Sequence, residues 1–466
     1  MDPILQLFNE TRNDAESVER SLQRDKLKTE SPSNPFLLTL EERNYDEQYF
    51  HLYQHRLQVL GERVTRSCEK KWDSNFELNH RRVVKKNKVL DIQSNEPCWC
   101  VGTIYCEMKY KPNVLEEVVN DVYGAPDLVR SYADAEGSDE IMLEDESGRV
   151  LLVGDFVKNK PFVSGTVVGI LGMEADAGAF QVLDICYPAA LPQECLPKSS
   201  SPGKVAFVSG LNSDPSNANN ALRIQLLQEY LTGNLVDASA ISKIGRLVIC
   251  GNSLRPSEPS QLSGCLAEFG TFMGNILQSI PIDLMPGPHD PSDQCLPQQP
   301  LHKALFADAV RPFFNNKDCE LLSPTTNPAW LKFNGIELLG TSGQNIDDIC
   351  KYVIANCPDP KLDPDQNEDM VTRLNMMEGC LKWQNIAPTA PDTLWCYPYK
   401  SDDPFILSKL PHVYFVGNQP AFASKSVTLE GDTEVKVVAV PDFSSTGQIV
   451  ILDLQTLKTD VVTIQI

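Results

Sequence analysis

Five short segments hold the residue types that could do chemistry in this chain. They are Ser209-Gly210-Leu211-Asn212, Gly251-Asn252-Ser253-Leu254-Arg255, Gly287-Pro288-His289-Asp290, Thr341-Ser342-Gly343-Gln344 and Gly417-Asn418-Gln419-Pro420. Each follows a run that reads as a strand, and in open α/β sheets ligands gather at the carboxyl ends of the strands. The loops offer amides, hydroxyls, one imidazole and one carboxylate. Metal-assisted hydrolysis needs several carboxylates and imidazoles together, and only His289 and Asp290 are of those types. Asp290 reads as a turn or helix cap. Asp347 and Asp348 read as acids in the first turn of a helix, where the macrodipole favours them. No Walker motif, dinucleotide fingerprint or Gly-x-Ser-x-Gly elbow occurs. His51 and His55 stand four apart, but Leu52 sits where a zinc-protease helix carries its glutamate, so packing or solvation is expected of them.

The elements that must carry these loops alternate. Apolar strands at 204–210, 246–252 and 282–287 are separated by helices predicted at Asn217–Leu231, closing at Gly233, and at Leu262–Ser279. Leu266, Phe269, Met273, Ile276 and Leu277 form the second helix's buried stripe. Such alternation, with near-continuous apolar strands, predicts a buried α/β sheet. Further strands at 412–418, 434–440, 448–454 and 460–466 predict a β-rich tail.

Upstream, five short strands are predicted near 98–106, 139–144, 149–154, 163–172 and 179–187, with a helical piece at Val114–Val122. That pattern suggests a small barrel, with an OB fold as the leading candidate. A long helix should precede it, with Tyr45, Tyr49, Leu52, Leu57, Leu60 and Val64 on one face, ending by Glu69–Lys71. Breaker-rich residues Ser31 to Pro35 and the Pro/Ser joint from Pro188 to Pro202 divide the chain. The expected units are an N-terminal segment packing on the rest (1–40), a helix plus OB domain (41–190) and an α/β domain (200–466).

The strand-end loops, in order and spacing, resemble the calcineurin-like metallophosphoesterases. That family's motifs are Asp-x-His, Gly-Asp-x-x-Asp, Gly-Asn-His-Asp, a lone His and Gly-His-x-His. The resemblance implies an α/β sandwich, and in the family these residues hold two metal ions. Carried over, the first aspartate falls on Gly210 and its histidine on Asn212. The second motif's aspartates fall on Asn252 and Arg255. The third motif's asparagine falls on Pro288, with His289 kept. The lone histidine falls near Ser342, and the last two on Asn418 and Pro420. Glycine and proline offer no side-chain ligand, Arg255 brings a fixed cation, and asparagine cannot supply a bridging negative charge. These positions therefore read as a vestigial site, with no metal, no cofactor and no catalytic residue expected.

A ligand-poor domain of this kind behind an OB-like domain is similar to the B subunits of replicative DNA polymerases. Segments FVSGLNSDP (207–215), ICGNSLRP (249–256), MPGPHDP (285–291), GTSGQNIDDI (340–349) and FVGNQPAF (415–422) carry the likeness. The delta-complex small subunit matches best. The resemblance implies a non-catalytic scaffold in DNA replication and repair, located in the nucleus. Its implied partners are the C-terminal cysteine-rich domain of the delta catalytic subunit and an elongated third subunit, with room for a small fourth. The alternatives are a divergent metal-dependent phosphoesterase, the B subunit of another replicative polymerase, and an independent single-strand-binding OB protein.

Charge and composition agree with assembly rather than nucleic-acid binding. The chain carries 63 acidic against 41 basic side chains, a net charge of −22. Such a balance repels polyanions. The expected second barrel strand, from Ser138 to Gly148, holds five acids, and no aromatic lies between Tyr132 and Phe156. Tight DNA binding, which needs a basic groove with stacking platforms, is not expected. The densest basic run, Arg81–Lys88, reads as a solvated loop, with an import signal as the sharper reading. The first residues lack the basic start of a signal peptide. Fourteen cysteines contain no Cys-x-x-Cys, and most should be buried thiols. The closest pair, Cys98 and Cys100, is expected to be kept from one ion by strand alternation.

Overall fold

In the computed structural model, the described residues are 24–30, 32–73, 75–78, 80–112, 129–134, 136–175, 178–197, 202–236, 238–313, 321–354 and 366–466. The helical piece expected at Val114–Val122 lies outside them.

The barrel forms as the alternation requires. Strands Cys98–Glu107, Glu140–Glu144, Arg149–Val153, Val167–Glu174 and Phe180–Cys186 pair in the order one–two–three–five–four, and the fourth returns to the first. This is a closed five-stranded OB barrel. Its inward residues, among them Cys98, Cys100, Ile104, Leu143, Leu152, Ile170 and Val182, make one core. The expectation that alternation separates Cys98 from Cys100 is wrong. Residues two apart on a strand share a face, and both thiols enter the core, where burial raises the Cys98 thiol to about 11 and Cys100 further. They stay protonated and behave as small apolar groups.

One helix, Phe50–Lys71, lies across the barrel, with Leu60, Val64 and Cys68 packed on Trp99, Val167 and Leu171. Replacing Leu60, 1% exposed, with alanine should cost about 2–5 kcal/mol. Lys70 and Lys71 in the last turn suit the helix dipole. The helix begins later than expected. Tyr45 instead stacks on Tyr397 at 5.3 Å, and the Tyr49 hydroxyl donates to the Cys396 carbonyl at 2.8 Å. Its buried face also contains a charge that the apolar reading passed over, Arg56 at 1% exposure.

Residues from 204 onward, with Thr29–Glu30 as one edge strand, build two six-stranded sheets packed face to face. In one, Lys204–Val208, Ile244–Cys250, Ile282–Met285 and Leu322–Pro324 run parallel. In the other, Ile336–Thr341, Val413–Gln419 and Thr433–Pro441 run parallel. Alternation sorts the side chains: Val205 and Phe207 face the opposite sheet, while Ala206 and Val208 face helices Ala218–Thr232 and Leu262–Leu277. Helices Gln344–Val353 and Gln366–Trp383 cover the second sheet. The C-terminal strands are divided between the two sheets. Val413–Gln419 and Thr433–Pro441 enter one sheet, whereas Gln448–Asp453 and Thr459–Thr463 complete the other.

Residues 24–30 lie against this sandwich. The Arg24 guanidinium donates to the carbonyls of Leu231, Ile241 and Ile244, and Thr29–Glu30 pairs with Lys332–Phe333 at a sheet edge. Barrel and sandwich are fastened by the long helix. Arg56 Nε meets Asp403 Oδ2 at 2.8 Å, with the two side chains 1% and 0% exposed, and its Nη1 donates to the carbonyls of Pro388 and Ala390. Arg63 adds bonds to Gln384 and Leu407. Tyr132 of the barrel packs edge-on against Tyr352 of the sandwich, with ring centres 5.2 Å apart. Among the described residues no helix is long and apolar enough to cross a membrane.

Candidate functional site

Four of the five loops, all but Gly287–Asp290, leave the strands through left-handed turns. Gly210, Asn212, Asn252 and Asn418 have φ of 62°, 46°, 53° and 55°. Asparagine is the non-glycine residue that tolerates this region best, and at these strand ends its side chain also knits the loops. Asn418 Nδ2 donates to the Ser342 carbonyl at 2.7 Å and to Ser342 Oγ at 3.1 Å. Asn252 Oδ1 accepts the His289 N–H at 3.1 Å. Main-chain bonds continue the weave, from Gly210 N–H to Gly251 O and from Asn212 N–H to Asn252 O, each 2.9 Å. Thus Gly210, Asn212, Asn252, His289, Ser342 and Asn418 converge. Arg255 reaches back to the Ser213 carbonyl with its N–H, and its charge lowers the basicity of His289, which partial burial lowers first. Pro420 is exposed at the rim and has no polar side chain.

The surprise is Asp442, just after Thr433–Pro441. Its Oδ2 accepts from Asn212 Nδ2 at 3.0 Å, and its Oδ1 accepts from Ser444 Oγ, Ser445 N–H and Ser445 Oγ at 2.6, 2.9 and 2.7 Å. A Cβ on Gly210 would lie 2.1 Å from Asp442 Oδ2. A carboxylate from another strand end therefore fills the space into which position 210 would project. Asp442 lies beyond the five loops that the strand-end rule picks out in the sequence. Applied to the sixth apolar strand, the same rule reaches Asp442.

The remaining acids have structural partners. Asp290, 6% exposed, accepts the N–H groups of Leu254 and Gly287 at 3.0 and 2.8 Å, tying the second loop to the third. Burial raises its carboxyl to about 6, against the pull of those N–H groups. Asp347 pairs with Arg373, and Asp348 accepts from Thr393 Oγ1 at 2.7 Å. Ser209 Oγ, at the base of the site, donates to the carbonyls of Val440 and Pro441 and accepts the Asn418 N–H at 2.8 Å. No base is placed to activate it as a nucleophile.

Among the described residues no group of three or more His, Cys, Asp or Glu could hold a metal ion. His289 feels both the negative charge of Asp442 and the positive charge of Arg255. These residues do not fit a binuclear centre. In the basic run, Lys85 pairs with Glu69 at 2.8 Å, Lys86 pairs with Glu96, and Arg81 donates to the Asn95 carbonyl.

Two families match this chain. The one described as DNA polymerase delta subunit OB-fold domain matches residues 48–185, and that of the DNA polymerase alpha/epsilon B subunits matches residues 205–424. The chain is 52% identical to the DNA polymerase delta small subunit of Saccharomyces cerevisiae, with all of both chains covered. It is 34% identical to the small subunit of Oryza sativa, covering 90% of this chain and 93% of that one. It is 30% identical to DNA polymerase delta subunit 2 of Drosophila melanogaster, with 93% and 97% covered. Among solved structures, a 5'-nucleotidase precursor from Thermus thermophilus aligns at 12% identity and a TM-score of 0.25, covering 57% of this chain and 55% of that one. That likeness is too loose to argue from.

Proposed function

Because this chain belongs to the DNA polymerase delta small-subunit family, we propose that it serves the polymerase as a scaffold with no chemistry of its own. One observation carries the reading. The space into which the first ligand position would project is closed by Asp442, whose two oxygens are occupied by Asn212, Ser444 and Ser445. With Arg255 beside His289, a pair of divalent cations would meet a fixed positive charge instead of a bridging carboxylate.

In this role the rigid union of barrel and sandwich presents one continuous surface to partners. Those partners are the cysteine-rich C-terminal domain of the catalytic subunit and the third subunit, with room for a small fourth, and the work is done in the nucleus. The barrel faces protein rather than DNA, as its acidic second strand requires. The chain's vestigial positions, Gly210, Asn212, Asn252, Arg255, His289, Ser342, Asn418 and Pro420, then serve as a woven floor under the loops.

The experiment is a turnover assay on the purified full-length chain, alone and in the polymerase complex, with a phosphodiester substrate and added manganese. Background rates are expected in both. Hydrolysis that follows the protein through repurification and stops with chelator would overturn the reading.

A further inference from the structure

Away from the strand-end loops, a cleft of about 670 Å³ opens where the first turns of Phe50–Lys71 face the barrel and the loop around Asp392. Phe50, Tyr53, Leu57 and Tyr105 supply its apolar lining. Its charged lining is one-sided, with Glu144, Asp145, Glu146 and Asp392 against Arg149 alone. Phe50 is 62% exposed, and two aromatics close to the cleft's lining in sequence, Tyr45 before Phe50 and Trp395 after Asp392, are 60% and 49% exposed. Exposed aromatics grouped around a concave site mark protein-binding surfaces rather than ordinary solvent-facing ones.

The chemistry of the cleft is already used by the chain's own cations. The Arg149 guanidinium lies 4.3 Å from the centre of the Tyr105 ring, and Lys111 Nζ lies 4.6 Å from it. Arg149 is held by Glu144, and Lys111 by Asp392, which also accepts from the Tyr53 hydroxyl at 2.8 Å. Asp145 accepts the N–H groups of Val89, Ser147 and Gly148. Glu146 is exposed and makes no ion pair or hydrogen bond among the described residues. An acidic, aromatic-walled cleft with a spare carboxylate complements a cation flanked by apolar side chains.

We propose that this cleft docks a basic segment of another subunit of the polymerase, with apolar side chains against Phe50, Tyr53 and Leu57 and an arginine or lysine directed to Glu146. The proposal rests on the scaffold reading and gives it a location. Nucleic acid is the poorer occupant, since its phosphates would meet four acids against Arg149 and Lys111, both of which are already paired.

The test is the double variant Gln54→Lys/Glu146→Lys, with Phe50→Ala as a second variant. All three positions are exposed, so thermal unfolding should be unchanged. Affinity of the full-length chain for each of the other purified subunits is measured at low and high salt. Both variants should lose about tenfold or more in affinity for one of these subunits, and the charge variant should lose most of the salt dependence of that binding. Unchanged affinity for every one of them, with the complex intact, overturns the docking site and leaves the scaffold standing. If the unmodified chain binds none of the other subunits, both fall. If the variants alter binding of a labelled single-stranded oligonucleotide and leave affinity for the other subunits unchanged, the cleft serves nucleic acid and the proposal is wrong.

Discussion

Gly210 and Asp442 share one space: a Cβ on Gly210, whose φ is +62°, would lie 2.1 Å from Asp442 Oδ2. An aspartate placed there by Gly210→Asp would therefore meet Asp442 rather than open space. It adds a strained backbone position and a second carboxylate against the first. We expect a loss of about 2 kcal/mol or more in thermal unfolding, with no gain in metal binding. Gly210→Asp/Asp442→Gly should recover part of that loss, since the two changes are coupled through contact. Equal stability of Gly210→Asp and the parent chain would contradict the geometry.

The Arg56–Asp403 pair is the bolt between barrel and sandwich. Both side chains are essentially inaccessible, at 1% and 0% exposure. Arg56→Met leaves a buried carboxylate uncompensated and should cost about 3–5 kcal/mol, read by urea unfolding. The double variant Arg56→Met/Asp403→Leu should be less destabilised than the single one. A single variant within error of the parent would show that the two units are held together elsewhere.

Asp290 gives the fold a pH dependence of defined sign. Burial raises its carboxyl from the ordinary 3.8 to about 6, so between those values the folded chain holds a proton that the unfolded chain releases. This contribution to stability is present at low pH and falls as pH rises through that window. The stability difference between the parent and Asp290→Asn should therefore shift against the parent from pH ~4 to ~6. Urea unfolding at stepped pH checks this, and a shift in the opposite direction would contradict it.

Much of this architecture is legible in local pattern, and what is hidden is non-local. Apolar runs such as Lys204–Val208 and Ile244–Cys250 announce buried strands, and Asn217 and Gly233 do bracket their helix, which spans Ala218–Thr232. The five loops, read one after another, converge in space. Strand Ala329–Phe333, which the strand reading omits, forms a hairpin with Ile336–Thr341 across a glycine turn. Which sheet each tail strand joins is not legible, because a pairing as distant as that of Gln448–Asp453 with Lys204–Val208 leaves no local mark. Arg56 is invisible for a similar reason. Its position on the helix is apolar by periodicity, and the carboxylate and carbonyls that satisfy it come from residues 388–403.

The acidic surface carries an expectation for nucleic acid. With a net charge of −22 and Lys85 and Lys86 paired to Glu69 and Glu96, the free chain should not bind single- or double-stranded DNA tightly at physiological salt, where charges act over ~8 Å. Anisotropy of a labelled oligonucleotide across a salt series checks it. Submicromolar, strongly salt-dependent affinity lost on replacing Arg81, Arg82 and Lys88 would mean that the chain also guides DNA.

Metal content of the full-length chain, after incubation with manganese, iron and zinc and removal of free ions, tests whether the strand-end loops are closed to catalytic metal. Far less than one equivalent of any of them is expected, unchanged by Asp442→Ala or His289→Ala. One or two equivalents per chain, lost in those variants, would contradict it.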